Sequence, residues 1–208
     1  MDQTSNAVGV FNKLADSYQD RFMDVSLYHD SFDIFCNNIK KDNATVLELA
    51  CGPGNITKYL LEKRPDLRIL GTDLAPNMIE LAKINNPNAE FDLLDFRKIK
   101  SLEQKFDAIL CGFGLPYLSK KEAIAFIADS GQILNADGVL YLSTMEDDNA
   151  KSRFQKGSSG DEVFINYHEA DYLIAALENN GFTLIDLQRK NYLHNEQDTT
   201  DLILIATK

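Results

Sequence analysis

The segment that most constrains this chain is Thr45-Val46-Leu47-Glu48-Leu49, which runs directly into Ala50-Cys51-Gly52-Pro53-Gly54. An aliphatic run entering a glycine-containing turn, with Ile56, Tyr59, Leu60 and Lys63 at helical spacing beyond it, reads as strand, tight loop and helix. The unit then repeats. Residues 67–73 form a second buried strand, Pro76 occupies a favourable first-turn position of a second helix, and Asn85-Asn86-Pro87 ends that helix. Residues 90–94 and 106–111 supply a third and a fourth strand.

On either side of this repeat the periodicity continues. Phe11, Leu14, Ala15, Tyr18 and Phe22 predict an amphipathic helix over 7–23. Phe32, Phe35, Cys36 and Ile39 predict another over 27–39, and both are expected to cover the core. Ser119 with Glu122 is a capping box for a helix reaching about residue 134 and stopping at Asn135-Ala136-Asp137-Gly138, ahead of a strand over 139–144. Residues 146–161 read as a long loop, of the length that forms lids over sites. Asn166 with Glu169 is a second capping signal, for a helix that ends at Gly181. Strands over 182–192 and 201–206, joined by the polar residues 194–198, close the sequence as an antiparallel hairpin. Alternation of strands and helices predicts an α/β fold: a doubly wound, mostly parallel, seven-stranded sheet with helices on both faces. The expected organisation is one domain over 1–208, with a helical cap over 1–42 and an α/β core over 43–208.

Charge and cysteine usage narrow the function classes. The formal net charge of -11 and the lack of a basic cluster beyond Lys40-Lys41 and Lys120-Lys121 argue against nucleic acid as a partner. Cys36, Cys51 and Cys111 are odd in number and widely spaced, as free thiols in a reducing compartment would be. The polar start, Met1 to Asn6, has no signal-peptide character and no apolar run is long enough for a bilayer, so the expected location is cytoplasmic with no membrane partner.

In a doubly wound sheet, ligands bind outside the carboxyl ends of the strands, near the point where strand order reverses. Gly52 and Gly54 fall there, and Asp73 follows Gly52 by 21 positions, near the spacing at which a carboxylate takes ribose hydroxyls. A nucleoside-containing cofactor is the expected ligand. The dinucleotide fingerprint fits poorly, because Asn55 stands where its third glycine belongs, and a carboxylate at Glu48 would oppose a pyrophosphate while tolerating a cationic amino group and a sulfonium.

In these and neighbouring residues, the chain resembles the class I S-adenosylmethionine-dependent methyltransferases. The resemblance runs through Glu48-Leu49-Ala50-Cys51-Gly52-Pro53-Gly54, Gly71-Thr72-Asp73-Leu74-Ala75-Pro76-Asn77-Met78, Leu93-Leu94-Asp95-Phe96 and the strand Phe106-Asp107-Ala108-Ile109-Leu110-Cys111. Ala50 departs from a pattern that often has glycine. The resemblance implies a Rossmann-like fold, S-adenosylmethionine as cofactor and S-adenosylhomocysteine as product. It further implies that the backbone at Ala50 and Gly52 faces the methionine moiety, Asp73 holds the ribose, Leu74 and Met78 flank the adenine, Asp95 accepts from the adenine amino group, and Phe96 covers the ring edge. The Cys111 carbonyl would receive the methionine ammonium, and Tyr18 would touch the methionine carboxylate from above.

The acceptor is not specified by these motifs. The absence of basic tracts favours a small molecule, and Tyr28, His29, Tyr117, Tyr167 and His168 are candidates to contact it. No catalytic residue is assigned. The strand-four loop reads Gly112-Phe113-Gly114-Leu115-Pro116-Tyr117, unlike the Asn/Asp-Pro-Pro-Tyr/Phe signature of enzymes that methylate exocyclic base nitrogens. His29, His168 and His194 are scattered, and Tyr172 stands where a helical zinc motif begun at His168 needs its second histidine, so no metal is expected. Two other readings stay open: a non-catalytic module that binds a nucleoside cofactor, and a nicotinamide-dependent oxidoreductase.

Overall fold

A computed structural model describes residues 3–157, 159–194 and 197–208. Strand β1 (Thr45–Leu49) is buried on both faces, as the aliphatic run requires. It lies parallel to β2 (Arg68–Asp73) on one side and to β4 (Phe106–Cys111) on the other. With β3 (Glu90–Leu93), β5 (Leu134–Met145), β8 (Thr183–His194) and β9 (Gln197–Thr207) the order is β3-β2-β1-β4-β5-β9-β8, and β9 runs antiparallel to both its neighbours. The expected doubly wound, seven-stranded sheet with a C-terminal hairpin is the one observed. Chain order reverses between β1 and β4, so a crevice opens at their carboxyl ends.

Period-two alternation along the central strands divides the core in two. Leu47, Leu49, Ile109, Leu140 and Leu204 face α6 (Lys120–Ile133) and α7 (Ala170–Asn179), where Phe126, Ile127 and Leu173 meet them. Val46, Ala108, Leu110, Tyr141 and Ile205 face α3 (His29–Asn38) and α4 (Asn55–Lys63), through Phe32, Phe35, Tyr59 and Leu60. Helix α5 (Pro76–Asn85) follows β2 and packs on β2 and β3. The capping box at Ser119 and Glu122 forms as expected, and Gly181 sits in the left-handed region (φ 79) just past α7.

Four expectations need correction. The first helix begins at Gln3 and is divided at Leu14 (ψ 15) into α1 (Gln3–Lys13) and α2 (Ala15–Phe22). These lie over α5 and β7 (Glu162–Ile165) rather than on the main core, tied down by Asn12 to Asn77 and by Lys13 to Asp161. Residues 135–138 do not end a helix ahead of β5. They form an irregularity within it, with Asp137 at φ 60, because Leu134 pairs with Phe106 and Val139 with Ala108. The 146–161 stretch is no plain loop: a short 3-10 turn, Asn149–Lys151, leads into β6 (Arg153–Lys156), which forms an antiparallel ribbon with β7. Phe154 pairs across to Phe164 with ring centroids 5.2 Å apart, a cross-strand contact that four-residue strands do not announce as periodicity. Finally, α7 starts after Glu169 with no side-chain cap. Asn166 is buried and donates its amide to the Pro116 carbonyl at 3.0 Å, tying the ribbon to the loop after β4.

The closing strands are longer than expected, since polar residues on their solvent side do not interrupt the ladder. The tip of their connection, residues 195 and 196, lies outside the described residues, as do Met1, Asp2 and Ser158.

Candidate functional site

The loop from β1 to α4 turns through three left-handed residues, Ala50 (φ 52), Gly52 (φ 54) and Gly54 (φ 77). Glycine is needed most at Gly54, where a Cβ would come 2.4 Å from Asn86 Nδ2, the group that donates to the Gly54 carbonyl at 2.9 Å. The alanine at position 50 therefore keeps the same backbone turn at the cost of some strain. Across the loop, the Asp73 carboxylate at the end of β2 accepts from the Gly52 N–H at 3.0 Å and the Ala75 N–H at 2.9 Å, which ties the first loop to the second. Burial raises its pKa, and these backbone donors oppose the rise.

Asp73 and Gly52 open into a cavity of about 720 Å³, counting its mouth. Ala50, Leu74, Met78 and Phe96 also line it, and α1 and α2 roof it with Val8, Phe11 and Tyr18. Tyr18 stands over Gly52, and burial first, then the Asp73 charge, pushes its pKa up to about 12, so its hydroxyl stays protonated. A second cavity, about 730 Å³ with its mouth, lies on the other side of the same loop. Phe22, Asp24, Val25, Tyr28, Phe32, Asn55, Ile56 and Tyr192 belong to it alone. Tyr18, Ala50, Gly52, Gly112 and Phe113 line both, so the two cavities meet at one wall.

Of the ten residues read as cofactor contacts, Tyr18, Ala50, Gly52, Asp73, Leu74, Met78 and Phe96 line the first cavity. Glu48 lies beneath the loop and lines neither cavity. It shares the Val46 face of β1, so it points under α4, accepts from the Thr57 hydroxyl, and leaves Oε1 without a hydrogen-bond partner among the described residues. Burial raises its pKa from 4.5 to about 7. The Asp95 carboxylate is paired with Arg97 (2.8 Å) and caps the 3-10 segment Phe96–Ser101, away from the cavity lining. Cys111 is buried at the end of β4, and burial raises its thiol to about 12, which makes it a poor nucleophile.

The expected acceptor contacts separate. Tyr28 lines the second cavity and Tyr117 the first. His29 stacks on Tyr59 at 4.2 Å, Tyr167 accepts from Gln155 at 2.7 Å, and His168 is buried against the Leu115 carbonyl and the Tyr172 hydroxyl. None of these three lines either cavity.

Residues 46–138 match the family model of a methyltransferase domain. The chain is 36% identical over 106 residues to a malonyl-[acyl-carrier protein] O-methyltransferase of Acetivibrio thermocellus, covering 50% of this chain and 36% of that protein. It is 34% identical over 101 residues to a trans-aconitate 2-methyltransferase of an Enterobacter species, covering 49% and 39%. The solved structure of DhpI in complex with SAH shares the fold with a TM-score of 0.74 at 18% identity, over 98% of this chain and 96% of that one. Over residues 46–138, which carry β1 to β4 and the loops at the first cavity, the chain is similar to the class I S-adenosylmethionine-dependent methyltransferases. It spans well under half the length of the two curated relatives, and the matches to them take in about half of it.

Several cavity residues lie outside the motifs. Thr4, Ala7, Val8 and Phe11 come from α1, Gly112 and Phe113 from the loop after β4, and Tyr192 from β8. For the α1 residues the one sequence signal was the amphipathic period of the first helix, which read as core cover. Among the described residues, no helix is long and apolar enough to cross a membrane, and no three His, Cys, Asp or Glu side chains cluster as a metal site.

Proposed function

We propose that this chain catalyses methyl transfer from S-adenosylmethionine to a small-molecule acceptor, with the cofactor in the first cavity and the acceptor in the second. The observation that carries this is that two cavities at the carboxyl edge of the sheet share the lining residues Ala50, Gly52, Gly112 and Phe113, so they adjoin there. The residues suit the cofactor: Asp73 keeps lone pairs for ribose hydroxyls, Leu74, Met78 and Phe96 offer apolar surface to a purine, and the loop backbone is bare at Gly52. Bound there, S-adenosylmethionine would supply a methyl group on a sulfonium, which an acceptor atom takes by in-line displacement.

The protein's part is alignment. Holding donor and acceptor on either side of one wall is worth about 7–11 kcal/mol of barrier, more than a general base contributes. Roofing by Phe11, Tyr18 and Tyr117, with ring centroids 5.9 and 5.2 Å apart, keeps water from the first cavity. Residues 1–42 would act as a cap that completes both cavities over the core at 43–208, and the net charge of -11 favours a small acceptor over nucleic acid. Names of the relatives, malonyl-[acyl-carrier protein] and trans-aconitate methyltransferases, support a small acceptor of some kind.

Calorimetry with S-adenosylhomocysteine and, separately, a nicotinamide dinucleotide tests the reading. Micromolar binding of the first, about -8 kcal/mol, and none of the second is the expected result, followed by transfer of labelled methyl in an acceptor screen. Dinucleotide binding would sink the proposal; nucleoside binding with no transfer to any acceptor would favour the non-catalytic module.

A further inference from the structure

The inner end of the second cavity carries an arrangement that the methyl-transfer reading does not use. Asp201, on β9, is fully buried. Its Oδ2 accepts from the Tyr28 hydroxyl at 2.6 Å and its Oδ1 from the Tyr192 hydroxyl at 3.3 Å, and both tyrosines line the cavity. A phenol has one proton to donate and two lone pairs. With both protons directed at Asp201, the two hydroxyls turn acceptor lone pairs to the cavity. Both phenols are held protonated, burial and then Asp201 raising Tyr28 far above its ordinary value, and burial followed by the Asp201 charge raising Tyr192.

The protonated Tyr18 hydroxyl is a donor in the wall shared with the first cavity, whereas the polar groups on the other walls add no positive charge. The Asp24 carboxylate accepts from the Ser26 N–H at 2.9 Å and is held below the usual carboxylate range by that bond, so it is anionic at neutral pH. The Asn55 amide donates to the Phe22 carbonyl at 2.7 Å and accepts from the Ile56 N–H. Among the described residues lining this cavity there is no Lys, Arg or His. Its other walls are aromatic and aliphatic, Phe22, Val25, Phe32 and Phe113, and Tyr28 meets Phe113 edge-on at 5.3 Å. Since Phe113 belongs to the wall shared with the first cavity, a group held by Tyr28 lies next to that wall.

We propose that the second cavity takes a planar acceptor in its neutral form whose nucleophilic atom bears a proton, a phenolic O–H or a heteroaromatic N–H, which donates to the Tyr28 hydroxyl while Asp201 fixes Tyr28 and Tyr192 as hydrogen-bond acceptors; as the methyl group leaves the sulfonium for that atom, the displaced proton would pass to Tyr28 and the Tyr28 proton to the Asp201 carboxylate. The inference rests on the methyl-transfer reading above and adds the acceptor class to it. Tyr28 and Tyr192 touch the acceptor; Asp201 is a positioning residue. Carboxylate acceptors are disfavoured, because at the Tyr28 and Tyr192 end their charge would face lone pairs and Asp24, and no Lys, Arg or His among the described lining residues meets it.

The test uses the whole chain saturated with S-adenosylhomocysteine, and two probes of similar shape: 4-nitrophenol at a pH where it is protonated, and 4-nitrobenzoate, which is anionic there. The wild type should bind 4-nitrophenol about tenfold or more tightly than 4-nitrobenzoate, as one hydrogen bond gained against an unmatched charge would give. Asp201→Asn should shrink that ratio to about twofold or invert it, because an amide also donates. General loosening of the fold would instead weaken both probes alike. Tyr28→Phe should weaken 4-nitrophenol about fivefold and leave 4-nitrobenzoate unchanged, and it carries the test if Asp201→Asn no longer binds S-adenosylhomocysteine. The inference is overturned by equal or tighter binding of 4-nitrobenzoate to the wild type, by a ratio unchanged in the variants, or by a chain that binds S-adenosylhomocysteine and neither probe. A wild type that fails to bind S-adenosylhomocysteine overturns the methyl-transfer reading itself, before either probe is added.

Discussion

The first cavity draws its polar recognition from chain neighbours, with Gly52 and Asp73 only 21 positions apart, whereas the second joins Tyr28 to Asp201 across 173. In the first, the backbone forms much of the lining: left-handed turns at Ala50, Gly52 and Gly54 bring the loop to the cavity, and Asp73 clamps it through the Gly52 N–H. In the second, side chains do the work, carried by α2, the 3-10 turn Ser26–Tyr28, the start of α4 and the closing hairpin. A backbone site tolerates changes of side chain but no added Cβ at its tightest point, Gly54. A side-chain site keeps its shape under small backbone changes and alters its chemistry with one substitution.

The comparison can be broken most sharply at Asp73. Asp73→Ala removes the ribose acceptor and the clamp on Gly52 together, and calorimetry should show S-adenosylhomocysteine affinity falling about 100-fold or more, while 4-nitrophenol binding in the second cavity persists. A parallel loss of both ligands would mean that the cavities are not separately built.

Next comes Glu48, the buried acid under the loop. Its folded-state pKa, about 7 against 4.5 for the ordinary group, means that the native chain holds a proton that the unfolded chain has released. Its contribution is therefore fully present below pH 4.5 and is lost as pH rises to about 7, on the order of 3 kcal/mol in all. Thermal melts should show higher stability at pH 5 than at pH 8, and Glu48→Gln should flatten that difference. A wild type that gains stability over the same interval would contradict the burial of an unmatched carboxyl oxygen.

A smaller effect is expected at Gly54. Gly54→Ala places a side chain in the left-handed region and displaces Asn86, which should lower unfolding free energy by about 2 kcal/mol in urea titrations. The smallest effect belongs to Phe22, about half exposed and lining only the second cavity. Phe22→Ala should leave S-adenosylhomocysteine affinity within about twofold and weaken 4-nitrophenol by about threefold, the scale of partial aromatic burial.

Legibility in the sequence followed the same division. The strand–loop–helix at Thr45 to Lys63, the acid at Asp73 and the capping box at Ser119 depend on local backbone chemistry, so residue type and spacing revealed them. Asp95 had the right local position, yet its carboxylate is paired with Arg97 two residues on, a side-chain choice that spacing does not record. The β6–β7 ribbon escaped notice because its strands have four residues each and are stabilised by pairing across a turn. Likewise, the α1–α2 break at Leu14 reflects how the two helices settle on α5 and β7, which the helical period alone cannot express.

The α/β alternation, the seven strands with their closing hairpin and the glycine loop at the carboxyl end of β1 were written in the sequence, because each follows from hydrophobic period and from which residues accept a left-handed turn. Only the tertiary structure decided that Glu48 points beneath α4, that Tyr18 stands on the wall between two cavities, and that Asp201 lies behind Tyr28 and Tyr192. The physical reason is that direction and partner of a side chain are fixed by strand order and by helices arriving from distant parts of the chain, and a linear pattern carries neither.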